Sequence, residues 1–427
     1  MTYSTITEAL SRKTGPVKLR GWAHRVRQLK DKAFIVLRDT TDVIQCVASQ
    51  SSLPEKDWLD AKKVSLESSL ELGGILREEK RAPGGAEVQV TSLKLHHAAE
   101  RFPIEGGETE AFLLDKRHLW IRSREQNAVM KVRDTVFSAA RGYFHGEGFY
   151  EVTPPIVVGT AAEGGSTLFE MDYFGQKAYL SQSAQFYLEA MCFNLEKVFA
   201  FSPSFRAEKS RTRRHLTEFT HLEGEMAWMG QKENMDVQEG LVSRICMDVA
   251  EKNKKELQVL GRDPKTVASF QAPYERIKYS EILEVFRKKC KMDFAWGTDF
   301  GADEEKALMQ HFGKPIFVTH YPKEIKAFYM RVDPSDPKVV LNADMLAPEG
   351  RGEIIGGSER ETDLKSLLSR LEGDPAPYEW YFDLRRYGSV QHSGFGLGVE
   401  RVIAWLCNLE HIRDATPFPR LLNRCNP

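Results

Sequence analysis

Two strand-like segments near the middle of the chain lie on either side of a short polar loop. KVFAFSPSF (197–205) and HLTEFTHLEGEMAW (215–228) are rich in residues that favour β-structure. Strands joined by so short a connection pair antiparallel. Further strand-like and helical segments surround this hairpin without strict β-α-β alternation, as in α+β proteins. The sequence therefore predicts an antiparallel β-sheet flanked by helices.

The first hundred residues differ in character from the rest of the chain. Residues 16–100 contain about five short strand-like segments and one helical segment. This pattern predicts a small β-barrel, and the OB-fold is the commonest such module that binds oligonucleotides, although other small β-domains fit as well. Pro103, Gly106 and Gly107 indicate a boundary. We therefore expect an OB-fold domain at 1–102, a linker at 103–123 and a second domain at 124–427.

The overall charge excludes binding of nucleic acid or membrane by bulk electrostatic attraction. The 60 Lys and Arg side chains balance 61 Asp and Glu side chains, for a net charge of −1. The sequence contains no run of about 18 apolar residues, so it predicts no membrane-spanning helix. Six widely separated cysteines without a C-x-x-C pair indicate reduced thiols and a cytoplasmic location. Basic residues are concentrated locally, with five in residues 206–214 against one acidic residue.

The basic loop at 206–214 is the first candidate for binding chemistry. Arg206 lies at the end of the incoming strand, while Arg214, His215 and Glu218 line the return. The forked donors of arginine match phosphate oxygens. The loop therefore suits a nucleotide phosphate bound in a pocket whose base is the β-sheet. An exposed hairpin with solvated charges fits the same pattern.

Two further segments carry candidate site residues. SGFGLGVERVIAW (393–405) predicts a glycine-rich turn into a helix, with Arg401 off the apolar stripe and facing either solvent or a pocket. Its glycine spacing does not match a dinucleotide-binding fingerprint. In NADMLAPEGRGEIIGGSER (342–360), Asp344 and Glu353 offer hard oxygen ligands suited to Mg²⁺ held jointly with substrate phosphates, although acids at this separation also occur by chance.

Three segments resemble, in the same order, the three motifs of class II aminoacyl-tRNA synthetases. GFYEVTPPIV (148–157) resembles motif 1, the stretch from FRAE to RHLTEF (205–219) resembles motif 2, and GFGLGVERVIAW (394–405) resembles motif 3. The basic loop and the N-terminal barrel place the resemblance in the aspartyl, asparaginyl and lysyl branch. It implies an enzyme that activates an amino acid with ATP and Mg²⁺ and transfers it to tRNA. It also implies a homodimer with Pro155 at its interface.

The resemblance assigns roles around a nucleotide. Arg206 would hold the α-phosphate of ATP and Arg401 the γ-phosphate, while Phe219 would stack on the adenine. Asp344 and Glu353 would share Mg²⁺. The expected catalytic set is Arg206, Glu353 and Arg401, since attack by a carboxylate needs positioning and charge neutralisation but no protein base. The other residues expected to border the nucleotide are Glu208, Arg214 and His215.

The resemblance also implies an amino-acid site. Glu163 and Gln185 would bind the α-ammonium group, and Arg360 the side-chain oxygen. Aspartyl enzymes carry a lysine where this chain has Leu188, and usually an aspartate where it has Glu223. Loss of the cation and an added acceptor for a carboxamide favour L-asparagine and tRNA(Asn) over aspartate. Alternatively, Glu223 is a structural acid held by the basic loop.

Three other functions remain as alternatives. An aspartyl-tRNA synthetase would share most of these residues. A relative that makes asparagine from aspartate and ammonia would lack the predicted barrel. A non-catalytic RNA-binding or signalling paralogue would have no need to retain Arg206, Glu353 and Arg401.

In the predicted barrel, the resemblance implies an anticodon site. Phe34 would stack on the central uridine and Gln45 would hydrogen-bond to it, while Arg25 would contact phosphates. The alternative for Phe34 is a place in the barrel core.

Overall fold

The chain folds into two compact units, and the boundary between them along the sequence lies between Leu114 and Asp115. The computed structural model describes residues 2–160, 168–209 and 212–427. The boundary falls within the segment at 103–123, where a linker was expected from the sequence.

The first unit is a closed five-stranded barrel with strand order β1-β2-β3-β5-β4. Along β2, the buried residues Ala33, Ile35 and Leu37 alternate with partly exposed ones, so alternate side chains fill the core. The elements of this unit are α1 (Ile6–Arg12), β1 (Gly15–Gln28), β2 (Lys32–Arg38), β3 (Val43–Ser49), α2 (Glu55–Lys63), β4 (Ser69–Glu78) and β5 (Ala86–His97).

Two short helices, α3 (Glu110–Asp115) and α4 (Arg117–Trp120), occupy part of the expected linker. Arg117 is only 1% exposed. Its guanidinium donates to Gln126 Oε1 at 2.8 Å and to the backbone oxygens of Thr416 and Pro417 at 2.7 and 2.9 Å. These bonds satisfy a buried cation, so this part of the segment is anchored to the second unit to which it belongs.

The second unit is built on an eight-stranded sheet with strand order β12-β13-β16-β17-β18-β11-β10-β6. Its helices are α5 (Arg124–Gly146), α6 (Gln185–Leu195), α7 (Gln231–Lys252), α8 (Lys254–Val259), α9 (Pro264–Ala268), α10 (Tyr279–Val285), α11 (Ala302–Met309), α12 (Leu364–Arg370), α13 (Glu379–Arg386) and α14 (Val399–Leu406). Its strands are β6 (Tyr150–Glu151), β7 (Val157–Val158), β8 (Glu170–Tyr173), β9 (Gln176–Leu180), β10 (Lys197–Phe205), β11 (Glu218–Ala227), β12 (Glu275–Lys278), β13 (Ile316–Thr319), β14 (Val332–Asp333), β15 (Asp336–Val340), β16 (Asn342–Ala347), β17 (Gly352–Glu359) and β18 (His392–Gly398).

The large sheet is antiparallel through its six central strands and parallel at both edges. The pairs β12–β13 and β10–β6 are the parallel ones. A parallel pair needs a crossover connection, and the chain between the strands of each pair contains helices that provide one. The hairpin of β10 and β11 confirms the antiparallel pairing inferred from its sequence.

Close approach between β18 and β11 depends on glycine at two positions. A Cβ atom on Gly394 would lie 1.9 Å from Glu225 Oε2, and one on Gly396 would lie 2.4 Å from His221 Nε2. Because no such contact is sterically possible, glycine at both positions lets side chains of β11 reach across the neighbouring strand.

None of the helices in the described residues combines the length and apolar character needed to cross a membrane. The six cysteines all lie in the described ranges and are free thiols.

Candidate functional site

Two neighbouring cavities lie over strands β11, β17 and β18. The first, the basic cavity, has among its lining residues Arg206, Arg214, His215, Phe219, Glu353 and Arg401. The second, the acidic cavity, has among its lining residues Gln185, Leu188, Glu223, Glu225, Lys326, Asp344 and Arg360. Four residues line both, namely Arg206, His221, Glu353 and Gly396, so the cavities adjoin at these positions.

In the basic cavity, cationic side chains surround Glu353. Arg401, on the first turn of α14, donates to the backbone oxygen of Glu353 at 3.0 Å and lies 3.7 Å from its carboxylate. Arg214 donates to the same backbone oxygen at 3.3 Å. Burial alone would raise the pKa of Glu353, but the cations, Arg401 foremost, hold it below its ordinary value. The carboxylate is therefore ionised among positive charges, which also suit a polyphosphate.

Arg206 and Phe219 lie close together on the hairpin. The guanidinium carbon of Arg206 is 5.6 Å from the centre of the Phe219 ring, within the range of a cation–π contact. The backbone N–H of Arg206 donates to the backbone oxygen of Thr217 at 3.0 Å. This bond continues the pairing of the two strands beyond the end of β10. The hairpin thus places one guanidinium group and one aromatic ring in the same cavity.

His215 and Glu208 lie at the edge of this site. His215 lines the basic cavity, and its Nε2 is 3.7 Å from Glu208 Oε2. Burial, followed by the nearby Arg401 charge, lowers the pKa of His215. Glu208 lines an adjacent cavity that also includes Arg206 and His215.

Among the residues that line the acidic cavity, Arg360 and Glu225 form a buried bidentate pair. Arg360 Nε and Nη2 donate to the two carboxylate oxygens of Glu225 at 3.0 and 2.9 Å. Arg360 Nη1 donates to Ser358 Oγ at 2.8 Å. A guanidinium has five N–H groups, so after these three bonds to described residues two N–H groups remain for a ligand.

Glu223 faces the same cavity, and its carboxylate is bound by the turn that begins α6. It accepts hydrogen bonds from the Ser183 hydroxyl and from the Ala184 N–H, the latter at 2.7 Å, and a longer one from Ser202 Oγ at 3.4 Å. Within the described ranges, these donors all lie outside the basic loop. Leu188, fully buried, contributes an apolar wall nearby.

Asp344 and Glu353 converge from neighbouring strands. The position of a Cβ atom on Gly356 would be 3.5 Å from Glu353 Oε1 and 3.8 Å from Asp344 Oδ1. Burial raises the pKa of Asp344 to about 6, although Lys326 opposes this shift with an Nζ–Oδ2 contact of 2.6 Å. The described residues contain no group of three or more side chains arranged to hold a metal. The two carboxylates are hard oxygen donors and fit an ion such as Mg²⁺, which takes one or two carboxylates together with phosphates and water.

Two charged residues that contact side chains or backbone of these cavities were not predicted from the sequence. Lys326 neutralises Asp344, and Glu305 accepts from Arg214 Nη1 at 2.8 Å and from the Glu353 N–H at 3.0 Å. Neither lies in a recognisable motif. Only the folded position of α11 and of the segment before β14 brings them to the site.

One predicted residue, Pro155, lies away from these cavities. Pro155 is exposed between β6 and β7, next to the exposed apolar residues Ile156 and Val157. Glu163 lies outside the described residues.

On the barrel, the three predicted anticodon residues share one outer face. Arg25 pairs with Val36, which pairs in turn with Gln45 on β3. Phe34, two residues before Val36, therefore points to the same face. It is partly buried and lies outside the barrel core, so the core alternative is wrong. Gln45 Nε2 donates to Glu87 Oε2 at 2.9 Å.

Comparison with known proteins gives matches over nearly the whole chain. A family model described as tRNA synthetases class II (D, K and N) matches residues 109–422, and one described as OB-fold nucleic acid binding domain matches residues 17–95. The chain is 52% identical over 417 residues to an asparagine–tRNA ligase of Pyrococcus abyssi and 48% identical over 414 residues to one of Thermoplasma acidophilum, with 96% of each chain covered. A crystal structure of asparaginyl-tRNA synthetase from Pyrococcus horikoshii complexed with asparaginyl-adenylate matches with a TM-score of 0.95 and 48% identity, over 100% of both chains.

Proposed function

Because this chain belongs to the class II tRNA synthetases, we propose that it activates L-asparagine with ATP and transfers the asparaginyl group to the 3′-terminal ribose of tRNA(Asn). The predicted fold, an OB-fold barrel followed by a class II catalytic domain, is confirmed. The observation that carries the proposal is the junction of the two cavities, with Leu188 and Glu223 in the acidic one.

The first step joins the two substrates. An oxygen of the asparagine α-carboxylate attacks the α-phosphorus of ATP, the bond to the β-phosphate oxygen breaks, and pyrophosphate leaves with its electron pair. The carboxylate is already ionised, so no base is needed, and the protein acts by in-line positioning and by neutralising phosphoryl charge. Arg206 and Glu353, which line both cavities, flank the place where these atoms would meet.

In the nucleotide part of the site, the proposed roles are those that the resemblance implies, and Arg206, Phe219 and Arg401 line one cavity. Arg206 is assigned to the α-phosphate and Arg401 to the γ-phosphate, with Phe219 stacked on the adenine. Guanidinium forks suit phosphate groups because two parallel N–H donors can reach two phosphate oxygens at once. The residues assigned to the border of the nucleotide are Glu208, Arg214 and His215.

For Mg²⁺, the proposed ligands are Asp344 and Glu353. When bound, the ion would neutralise phosphate charge and hold the phosphates in line. Asp344 and Glu353 provide hard oxygen donors, and the Lys326 ammonium group lies beside Asp344.

Recognition of asparagine is assigned to residues that line the acidic cavity, together with Glu163. The two spare N–H groups of Arg360 would bind the side-chain oxygen, and Glu223 would accept from the carboxamide NH₂ group. Gln185, together with Glu163, would bind the α-ammonium group. Aspartate would bring a second carboxylate towards Glu223 without the lysine that Leu188 replaces, so like charges would oppose its binding.

ATP–pyrophosphate exchange with purified protein and Mg²⁺ tests this function. With asparagine, kcat/KM is expected to exceed that with aspartate by about 100-fold or more, because the site is built around a carboxamide hydrogen bond. Glutamine, one methylene longer, serves as a size control. Equal exchange with aspartate would refute the specificity, and absence of exchange with any amino acid would refute the ligase.

The barrel is assigned to the anticodon of tRNA(Asn), and Phe34→Ala tests that role. Loss of the stacking platform is expected to lower tRNA charging by about 10-fold, since one base–aromatic stack is worth about 1–3 kcal/mol. Exchange without tRNA is expected to stay within twofold. Ile75→Ala is the matched control, because Ile75 is 40% exposed on β4, a strand that does not pair with β2. An equal fall in exchange, or an equal effect of Ile75→Ala, would contradict the assignment.

The homodimer and the cytoplasmic location are part of the proposal. The exposed Pro155, Ile156 and Val157 form an apolar strip in the segment that resembles motif 1, and apolar surface of this kind is typical of an interface.

A further inference from the structure

A buried cluster of polar side chains lies behind the acidic cavity and has no part in the roles assigned so far. At its centre is Glu189, which lies on α6 one turn beyond Gln185 and is 0% exposed. Its carboxylate accepts from Arg385 Nη2 at 2.7 Å and from the Tyr381 hydroxyl at 2.8 Å, and His392 Nε2 lies 3.1 Å away. A buried carboxylate with this many partners is held in one place by α13 and β18.

The fourth partner of Glu189 is Gln185 itself. Gln185 Nε2 donates to Glu189 Oε1 at 2.9 Å. An ionised carboxylate only accepts hydrogen bonds, so the amide of Gln185 must turn its NH₂ group towards Glu189. Its oxygen is then directed away from the cluster as an acceptor. An α-ammonium group has donors and no acceptor, so it needs a side chain held in this orientation.

The same cluster reaches Arg360. Glu189 Oε1 lies 4.0 Å from Arg360 Nε, while Arg385 Nε donates to the backbone oxygen of Glu361 at 2.9 Å. With Glu225 bound to Arg360, two arginines face two glutamates in the buried layer behind the cavity. The charge of Arg360 is therefore already balanced, which favours a ligand side chain that is polar but uncharged.

We propose that the Glu189–Arg385 ion pair is a positioning device for the amino acid, which fixes Gln185 as an acceptor for the α-ammonium group and supports Arg360 in a charge-balanced layer that selects a carboxamide. Neither residue touches the ligand in this scheme. The proposal rests on the function proposed above and names how that same site holds its amino acid.

Glu189→Gln tests the positioning role in ATP–pyrophosphate exchange. A glutamine at 189 has both a donor and an acceptor, so the amide of Gln185 is no longer forced into one orientation. KM for asparagine is expected to rise about 10-fold, the effect of one hydrogen bond to a charged group, while KM for ATP stays within twofold. Wild-type protein without exchange would refute the ligase function, whereas wild-type exchange with an unchanged KM in Glu189→Gln would refute only this inference.

A double-mutant cycle separates positioning from general stability. Gln185→Met removes the acceptor, so adding Glu189→Gln to it is expected to raise KM for asparagine less than twofold further. A full 10-fold additional rise would show that Glu189 does not act through Gln185, and would overturn the proposal.

Two further variants keep the test independent of folding. Glu189→Gln leaves Arg385 without the carboxylate of its ion pair. The double variant Glu189→Gln with Arg385→Gln removes both charges, and this double variant is expected to fold and still show the raised KM for asparagine. Asp248→Asn is the matched control. It removes another buried carboxylate, 7% exposed, from its contacts with Arg244 and Lys252 on α7. An equal rise in KM for asparagine in Asp248→Asn would overturn the proposal.

Discussion

Arg401→Ala is expected to lower asparagine-dependent ATP–pyrophosphate exchange by about 1,000-fold, the range found when an arginine that stabilises transferring phosphoryl groups is removed. Arg401 lies in the basic cavity, 3.7 Å from the Glu353 carboxylate and beside Arg214. Without its guanidinium, the charge of the departing pyrophosphate would be poorly neutralised. The loss should appear mainly in kcat, because this charge is greatest in the transition state.

Two variants make the result on Arg401 specific. Arg386→Ala, on the outer surface of α13 and outside both cavities, is expected to leave exchange within twofold, since its ion pairs with Glu379 and Asp383 are exposed. Arg401→Lys keeps the charge but loses the fork, so an intermediate loss is expected. Exchange above one tenth of the wild-type rate in Arg401→Ala, with an unchanged melting temperature, would contradict the assigned role.

Leu188→Lys is expected to have the second large effect, a fall of about 1,000-fold in kcat/KM for asparagine. Leu188 is fully buried and lines the acidic cavity together with Glu223. A lysine here would fill part of the space for the ligand and would pair with Glu223, which removes the proposed acceptor for the carboxamide. Each loss is worth about 2 kcal/mol, and together they give this factor.

Leu188→Met is the control for Leu188→Lys, because it changes shape without adding charge and is expected to cost less than about 10-fold. In Leu188→Lys, kcat/KM for aspartate should fall less than kcat/KM for asparagine, so the ratio of the asparagine value to the aspartate value decreases. A ratio that stays at its wild-type value in Leu188→Lys would show that this position does not discriminate between them. Comparison of both amino acids at saturating ATP gives the measurement.

The residues that the sequence could place are those tied to a short contiguous pattern. Arg206 and Phe219 belong to one hairpin, and Arg401 follows a glycine-rich strand, so their meeting in one cavity depends on few tertiary contacts. Their roles toward ATP stay predictions. The face of Phe34 was uncertain because apolar residues occupy both faces of β2. Only the register with β1 and β3 places it outside the core.

Charged residues that are buried by distant elements could not be placed from the sequence. Glu189 meets Arg385 almost two hundred positions later in the chain, and Lys326 meets Asp344 from a neighbouring segment. Arg117 likewise anchors part of the expected linker through contacts near the C-terminus. A charged side chain in a sequence is usually solvated, so its burial becomes visible only when the partner is known.

Gly396 leaves the junction of the two cavities without a side chain. In the proposed reaction, two separate ligands become one mixed anhydride that must remain in place until tRNA arrives. Gly396 lines both cavities, and a methyl group there would collide with His221. In the proposed reaction, the intermediate would therefore extend from one cavity into the other past a position that has no side chain.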